Sequence, residues 1–173
     1  FGRMGQIISQ PLIARGHSIS IIEKDAQMIR DADEFGFKVW YGDGTRLDVL
    51  RAAGAGNASI IIVVPDDKEA VTRITELAKA EFPMVPVLAR AFDREHALEL
   101  VQHGVDYQMR ETLQSAFAMG REALIRLGDD DEVADEVMAD IRNRDAERFE
   151  LECVGGLSAG VALVLSNRNT SPD

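Results

Sequence analysis

The first 110 residues predict a doubly wound α/β domain on a parallel sheet. Short Ile/Val runs without polar alternation point to strands buried on both faces, as parallel strands are. These runs alternate with segments of helical periodicity, the order that crossover connections require. A glycine-rich stretch, "FGRMGQ" at residues 1–6, leads into the first helical segment.

In chain order, a helix is expected over 4–15, followed by the β-branched strand "HSISIIE" (17–23), which ends in an acid. A helix over 25–35 leads to "FKVWYGDGT" (37–45), an apolar run closed by glycines, and to a short helix over 45–54 ended by Gly54. "ASIIIVVPDD" (58–67) is a fully apolar strand stopped by Pro and two Asp, with a helix over 66–81 behind it. "PVLARAFD" (86–93) is the next strand, and its helix over 93–103 is closed by Gly104. "VDYQMR" (105–110) completes the sheet, whose first strand is expected to precede Phe1. Residues 111–127 form a longer helix with Leu113, Phe117, Gly120, Leu124 and Leu127 on one stripe and Ala116 beside it. That stripe packs on its own sheet or on a second subunit. "DDDEVADEVMADIRNRDAERFELE" (129–152) is an acidic amphipathic helix with Val133, Val137 and Ile141 on one side. Residues 153–173, rich in Gly, Ser and Asn, are expected to be a flexible tail.

Charge is uneven along the 173 residues. Residues 1–128 carry 18 acids against 15 bases, and 129–152 carry 11 acids against 3 bases, within a net charge of −11. Without a basic stripe, a nucleic-acid surface is disfavoured. No stretch approaches 18 apolar residues, so no membrane span is read. The single cysteine, Cys153, cannot form an internal disulfide, which fits a reducing compartment.

The glycine stretch carries the chemistry. With one more glycine before Phe1 it would be the dinucleotide-binding fingerprint of Rossmann-like domains. Gly2 would let backbone N–H groups approach a phosphate, Gly5 would let the helix pack closely on the sheet, and Arg3 and Met4 open the helix whose positive end faces the ligand. Glu23 closes its strand 18 residues after Gly5, where an acid holds the adenosine ribose hydroxyls and disfavours a 2′-phosphate; Lys24 beside it weakens that exclusion. Gly42, Asp43, Gly44 and Thr45 would lie beside the adenine, with Asp43 or Thr45 also able to cap the next helix. Pro65 could flank the base and Asp66 cap the helix behind it. Arg90 would sit beside a diphosphate or pair with Asp66 or Asp67. His17, His96 and His103 are read as solvated side chains. No nucleophile elbow, HExxH or Cys/His metal spacing occurs, and no second domain follows to hold a substrate, so a nucleotide sensor fits better than an enzyme.

Taken together, "FGRMGQ", "YGDGTRLDVLRAAGA", "DDKEA", "ARAFDREHALELVQHGVD" and "RETLQSAFAMGREALIRLG" resemble the nucleotide-binding (KTN or RCK) domain of Kef-type potassium-efflux systems. The resemblance covers residues 1 to about 128 and continues loosely to about 150. Ordinary dehydrogenases lack the G-D-x-T-R and R-E-T-x-x-x-A segments. The resemblance implies a Rossmann domain (1–110) hung from a membrane K⁺/H⁺ antiporter domain preceding Phe1, on the cytoplasmic face of the bacterial inner membrane. It implies a homodimer with 111–128 as the crossover helix, NAD(H) or AMP in the glycine-loop cleft, and an ancillary oxidoreductase subunit as a further partner.

In glutathione-gated members, glutathione is held by an Arg after the glycine loop, the Arg opening R-E-T, and an Asn near the end of a later helix. Arg110 matches the second, while the first position is Gln10 and the third aligns to Asp145. One missing charge-assisted hydrogen bond costs about 1.5–3 kcal/mol. Nucleotide binding is therefore expected to persist, and glutathione control is doubtful. The competing role for Arg110 is a structural pair with Glu111 or an acid of the partner. Two rival readings are a free-standing Trk-type potassium-uptake subunit and an NAD-dependent oxidoreductase fragment. The latter needs a catalytic domain that 111–173, short and acidic, does not supply.

Overall fold

The computed structural model describes residues 2–34 and 37–160. Among these the chain runs α1 (Arg3–Ala14), β1 (Ser20–Glu23), α2 (Ala26–Glu34), β2 (Lys38–Tyr41), α3 (Leu47–Ala52), β3 (Ile61–Val63), α4 (Lys68–Glu81), β4 (Val87–Ala91), α5 (Arg94–Gln102), β5 (Tyr107–Arg110), α6 (Leu113–Leu127) and α7 (Asp131–Gly155). Short 3₁₀ turns occupy Ala55–Asn57 and Leu157–Gly160. This is the α/β order expected. The strands are shorter than the apolar runs that announce them: of 58–67, only Ile61–Val63 is strand. Pro65, two residues on, has no N–H to offer a ladder.

All described ladders are parallel. β1 pairs with β2 from Ser20↔Lys38 to Glu23↔Tyr41. β3 pairs with β4 from Ile61↔Val87, and β4 with β5 from Leu88↔Tyr107. No ladder joins β1 to β3 among the described residues. A doubly wound order places one more strand between them. Both pieces share one core, because Ile22 of β1 packs against the cluster of Val63, Val71, Ile74, Val87, Ala91 and Leu100.

Side-chain caps set the helix starts. Asp67 accepts from the Ala70 N–H at 2.7 Å, Asp93 from His96 at 2.8 Å and Asp130 from Val133 at 2.9 Å. Asp66 was expected to cap α4, but the cap is Asp67, because Asp66 is drawn to Arg90. At the edge of β2, an added Cβ on Gly42 would lie 2.8 Å from Val49 Cγ1 of α3. Valine is stiff at χ1 and cannot step aside cheaply, so glycine is what lets α3 fold back under this edge.

His96 departs from expectation. It is fully buried, not solvated. The Phe92 N–H donates to its Nδ1 at 3.1 Å, which places the ring proton on Nε2, facing Thr72 Oγ1 at 3.1 Å. Burial pushes its pKa down from the usual 6.5, against the opposing pull of Glu99. The tail also departs from expectation. α7 runs to Gly155 and a 3₁₀ turn follows, so 153–160 take regular structure, and 161–173 lie outside the described residues.

Two consequences can be measured. Gly42→Ala should lower stability by about 1–3 kcal/mol in denaturant titration, and adding Val49→Ala should recover part of that loss. Equal stability of wild type and Gly42→Ala would refute the close approach. The lowered His96 pKa means that the unfolded chain takes up the proton first. Stability is then full above pH 6.5 and falls as pH drops below it, by at most ~1.4 kcal/mol per pH unit from this group. His96→Gln should flatten that slope between about pH 7 and pH 5, and an unchanged slope would exclude His96 as its source.

Candidate functional site

The start of α1, the ends of β1 and β4 and the loops leaving β1, β2 and β3 carry the residues singled out above, and several contacts link them. Gly5 of α1 faces Val64, just past β3, with an added Cβ 3.8 Å from Val64 Cγ2. Gly44, past β2, lies between Ile74 of α4 and Ile22 of β1. The charge of Arg3 reaches Asp66, and that of Lys24 reaches Asp43.

Gly2 is the N-cap of α1 and has no side chain to satisfy the first helical N–H groups. An added Cβ at Gly2 would meet nothing within 4 Å. Among the described residues no side chain caps this positive helix end, which lies beside the exposed Arg3. Met4 and Gly5 follow in the first turn, half-buried. Glu23 ends β1; its main-chain oxygen accepts from the Gly42 N–H at 3.0 Å and locks the β1 exit to that of β2. Its carboxylate accepts from the Lys24 and Asp25 N–H groups at 2.8 and 2.9 Å.

Asp43 Oδ1 accepts from both the N–H and the hydroxyl of Thr45, at 2.9 and 2.8 Å. These bonds from Thr45 hold the Asp43 carboxyl below the usual carboxylate range. The pair builds a turn and does not cap α3, whose N-cap is Arg46. Arg90 is 8% exposed and spans three acceptors: Asp66 at 2.5 Å, Glu111 at 2.6 Å and the Pro65 carbonyl at 3.3 Å. The ion pair with Asp66, one of its two anticipated roles, is formed. Glu111 was not foreseen as its second partner.

Arg110 also finds an unforeseen partner. It donates to both oxygens of Asp145 in α7, not to Glu111. Arg94, at the start of α5, donates to the same carboxylate and to Glu152 at 2.9 Å. Asp145 thus fills the space between two arginines. Gln10, by contrast, is exposed on α1. Sequence reasoning missed Arg94 and Glu152. The available signal was an arginine just inside the Asp93 cap, facing a helix rich in acids.

A surface hollow of about 320 Å³, lined by Lys68, Glu69, Thr72, Arg73, Glu76 and Glu99, opens along α4, away from the glycine loop. Lys68 and Glu99 pair across it at 3.6 Å. Among the described residues no group of His, Cys, Asp and Glu could hold a metal ion, and no helix is long and apolar enough to cross a membrane.

Comparison with known proteins places the chain in a family. The TrkA-N domain model matches residues 1–111. A glutathione-regulated potassium-efflux system protein of Haemophilus influenzae is 41% identical over 158 residues, which is 91% of this chain and 26% of the relative. KefC of Salmonella arizonae is 41% identical over 128 residues, covering 74% and 21%. The chain thus spans about a quarter of the length of these curated relatives. Among solved structures, the Kef C-terminal domain of Shewanella denitrificans in its AMP-bound form superposes with a TM-score of 0.79 at 35% identity, covering 86% of this chain and 91% of that one. The chain belongs to the TrkA-N domain family, with glutathione-regulated potassium-efflux proteins among its relatives.

Proposed function

We propose that this chain is the regulatory nucleotide-binding domain of a Kef-type potassium/proton antiporter, controlling K⁺ efflux by binding AMP at the glycine-loop edge. The bare N-terminus of α1 carries this reading. Gly2 leaves it uncapped, and a Cβ there would enter the space a phosphate needs. The donor set suits an adenosine monophosphate: the α1 N–H groups and Arg3 face the phosphate, and Glu23 takes the ribose hydroxyls. The Asp43–Thr45 turn and Pro65 flank the base. The AMP-bound state of the Shewanella domain favours AMP over NAD(H). Arg90 acts at one remove, as a positioning residue that holds Asp66 and the Pro65 carbonyl in place.

Glutathione control is doubtful because Asp145 already neutralises Arg110. The rest of the antiporter, and the placement of this domain on the cytoplasmic face of the membrane, are part of this reading; they are supported by relatives of which the matched region is only about a quarter. The domain pairs as a homodimer through α6, which buries no residue of its own and leaves Met119 and Leu127 76% and 84% exposed.

Calorimetric titration with AMP should give a one-site isotherm. Gly2→Ala should keep the fold, since its Cβ meets nothing, and weaken AMP at least about tenfold; Glu23→Gln should cost a similar factor. Unchanged AMP affinity in both variants, or tighter binding of NADPH than of AMP, would sink the assignment. In sedimentation, the wild type should run as a dimer and Met119→Asp/Leu127→Asp as a monomer; a monomeric wild type at tens of micromolar would remove α6 as the interface.

A further inference from the structure

The first turn of α5 is tied to the end of β4 by a histidine. His96 has no exposed surface. Its own N–H donates to the Asp93 cap at 2.8 Å, and its ring reaches back to the residue before that cap, accepting the Phe92 N–H on Nδ1 at 3.1 Å. The other ring nitrogen is fixed as a donor. Nε2 lies 3.1 Å from Thr72 Oγ1 of α4, and that hydroxyl donates to Glu99 Oε1 at 3.2 Å. A hydroxyl has one hydrogen, so Thr72 gives it to Glu99 and accepts the one on Nε2. The only lone pair left to the ring is on Nδ1, where the Phe92 N–H already sits.

Burial is the main force that keeps a second proton off this ring. Of the charges that act on it, Asp93 and Glu99 of α5 and Glu69 of α4 favour the proton, and Lys68 of α4 opposes it. β4, β5 and α7 also pack on α5, but Arg90, Arg110, Asp145 and Glu152 there are engaged in the ion pairs described above.

We propose that His96 is a proton-operated latch on the turn between β4 and α5. A proton taken up on Nδ1 turns an acceptor into a donor, so the Phe92 N–H loses its partner and the turn opens. The Nε2–H keeps its bond to Thr72, whose link to the Glu99 carboxylate supports the charged ring. Asp93 is the carboxylate within the turn that the new N–H can meet, which draws it from its place as the α5 cap. Phe92 is 57% exposed, so its freed N–H can turn to water. β4 ends at Ala91, one residue earlier, so its ladders to β3 and β5 can persist. The turn lies between Arg90, which holds Asp66 and Glu111, and Arg94, which holds Asp145 and Glu152, so its state bears on both. The latch stands whether or not the glycine-loop edge binds a nucleotide.

In the open turn His96 regains its ordinary pKa of 6.5, so acid favours opening. The open population should rise about tenfold between about pH 7.5 and pH 5.5. Nitrogen NMR on the whole chain, labelled at histidine, should show His96 with its proton on Nε2 at neutral pH and a second proton arriving on Nδ1 as pH falls, while β3 and β4 keep their native signals. Hydrogen exchange, corrected for its intrinsic pH dependence, should show the Phe92 amide losing protection about tenfold over the same range, with β3 and β4 unchanged. In His96→Gln, whose side-chain carbonyl can accept the Phe92 N–H at any pH, that protection should stay constant. A neutral ring with its proton on Nδ1, a Phe92 response that survives in His96→Gln, or loss of Phe92 protection only together with β3 and β4 would overturn the proposal. The wild-type measurements decide it even if His96→Gln does not fold.

Discussion

The Arg90 guanidinium, almost wholly out of solvent near the end of β4, ties together the exits of three neighbouring strands. It cannot shed its proton, so burial obliges it to find anionic and carbonyl acceptors. They come from the loop after β3, through the Pro65 carbonyl and Asp66, and from the exit of β5, through Glu111. Burial opposes its charge, but the two carboxylates outweigh that and hold it firmly protonated. Engaging Asp66 leaves Asp67 to cap α4, which sets where that helix begins. One buried cation therefore fixes the strand exits that border the glycine loop.

A rigid edge suits the nucleotide-binding role proposed above. The α1 N-terminus presents fixed donors, and the turn of Asp43 and Thr45 is closed by its own hydrogen bonds before any ligand arrives. Pre-organisation of this kind lowers the ordering cost of binding. Helix α7 is fastened by both kinds of contact: Ala134 and Met138 are buried near its start beside the Arg121 ion pairs, and Phe149 lies among the arginines that hold Asp145 and Glu152.

The acidity of α7 is not simply a solvated face. Asp130 caps the helix, Asp131 and Asp135 grip Arg121 of α6, and Asp145 and Glu152 turn inward onto arginines of α5, β5 and α7 itself. Acids that look alike in a charge run thus divide into cap, strut and buried partner.

The strand and helix order was legible because it rests on neighbouring residues: apolar runs, periodicity and Asp caps are local patterns, and β1 to β5 lie within the runs that predicted them. The glycine loop and Glu23 were read in the same way, as motif and spacing along one chain. What the sequence left open were the partners of charged and polar groups. It offered Arg90 two roles, gave Arg110 the wrong acid, and left His96 in solvent. The partners of Arg94 and Arg110 lie 58 and 35 residues away, and many acids stood equally available. Periodicity determines which residues face inward; which buried charges then meet is decided only when helices from distant parts of the chain are packed together, because a buried ion must be paired by whatever the tertiary structure brings within reach.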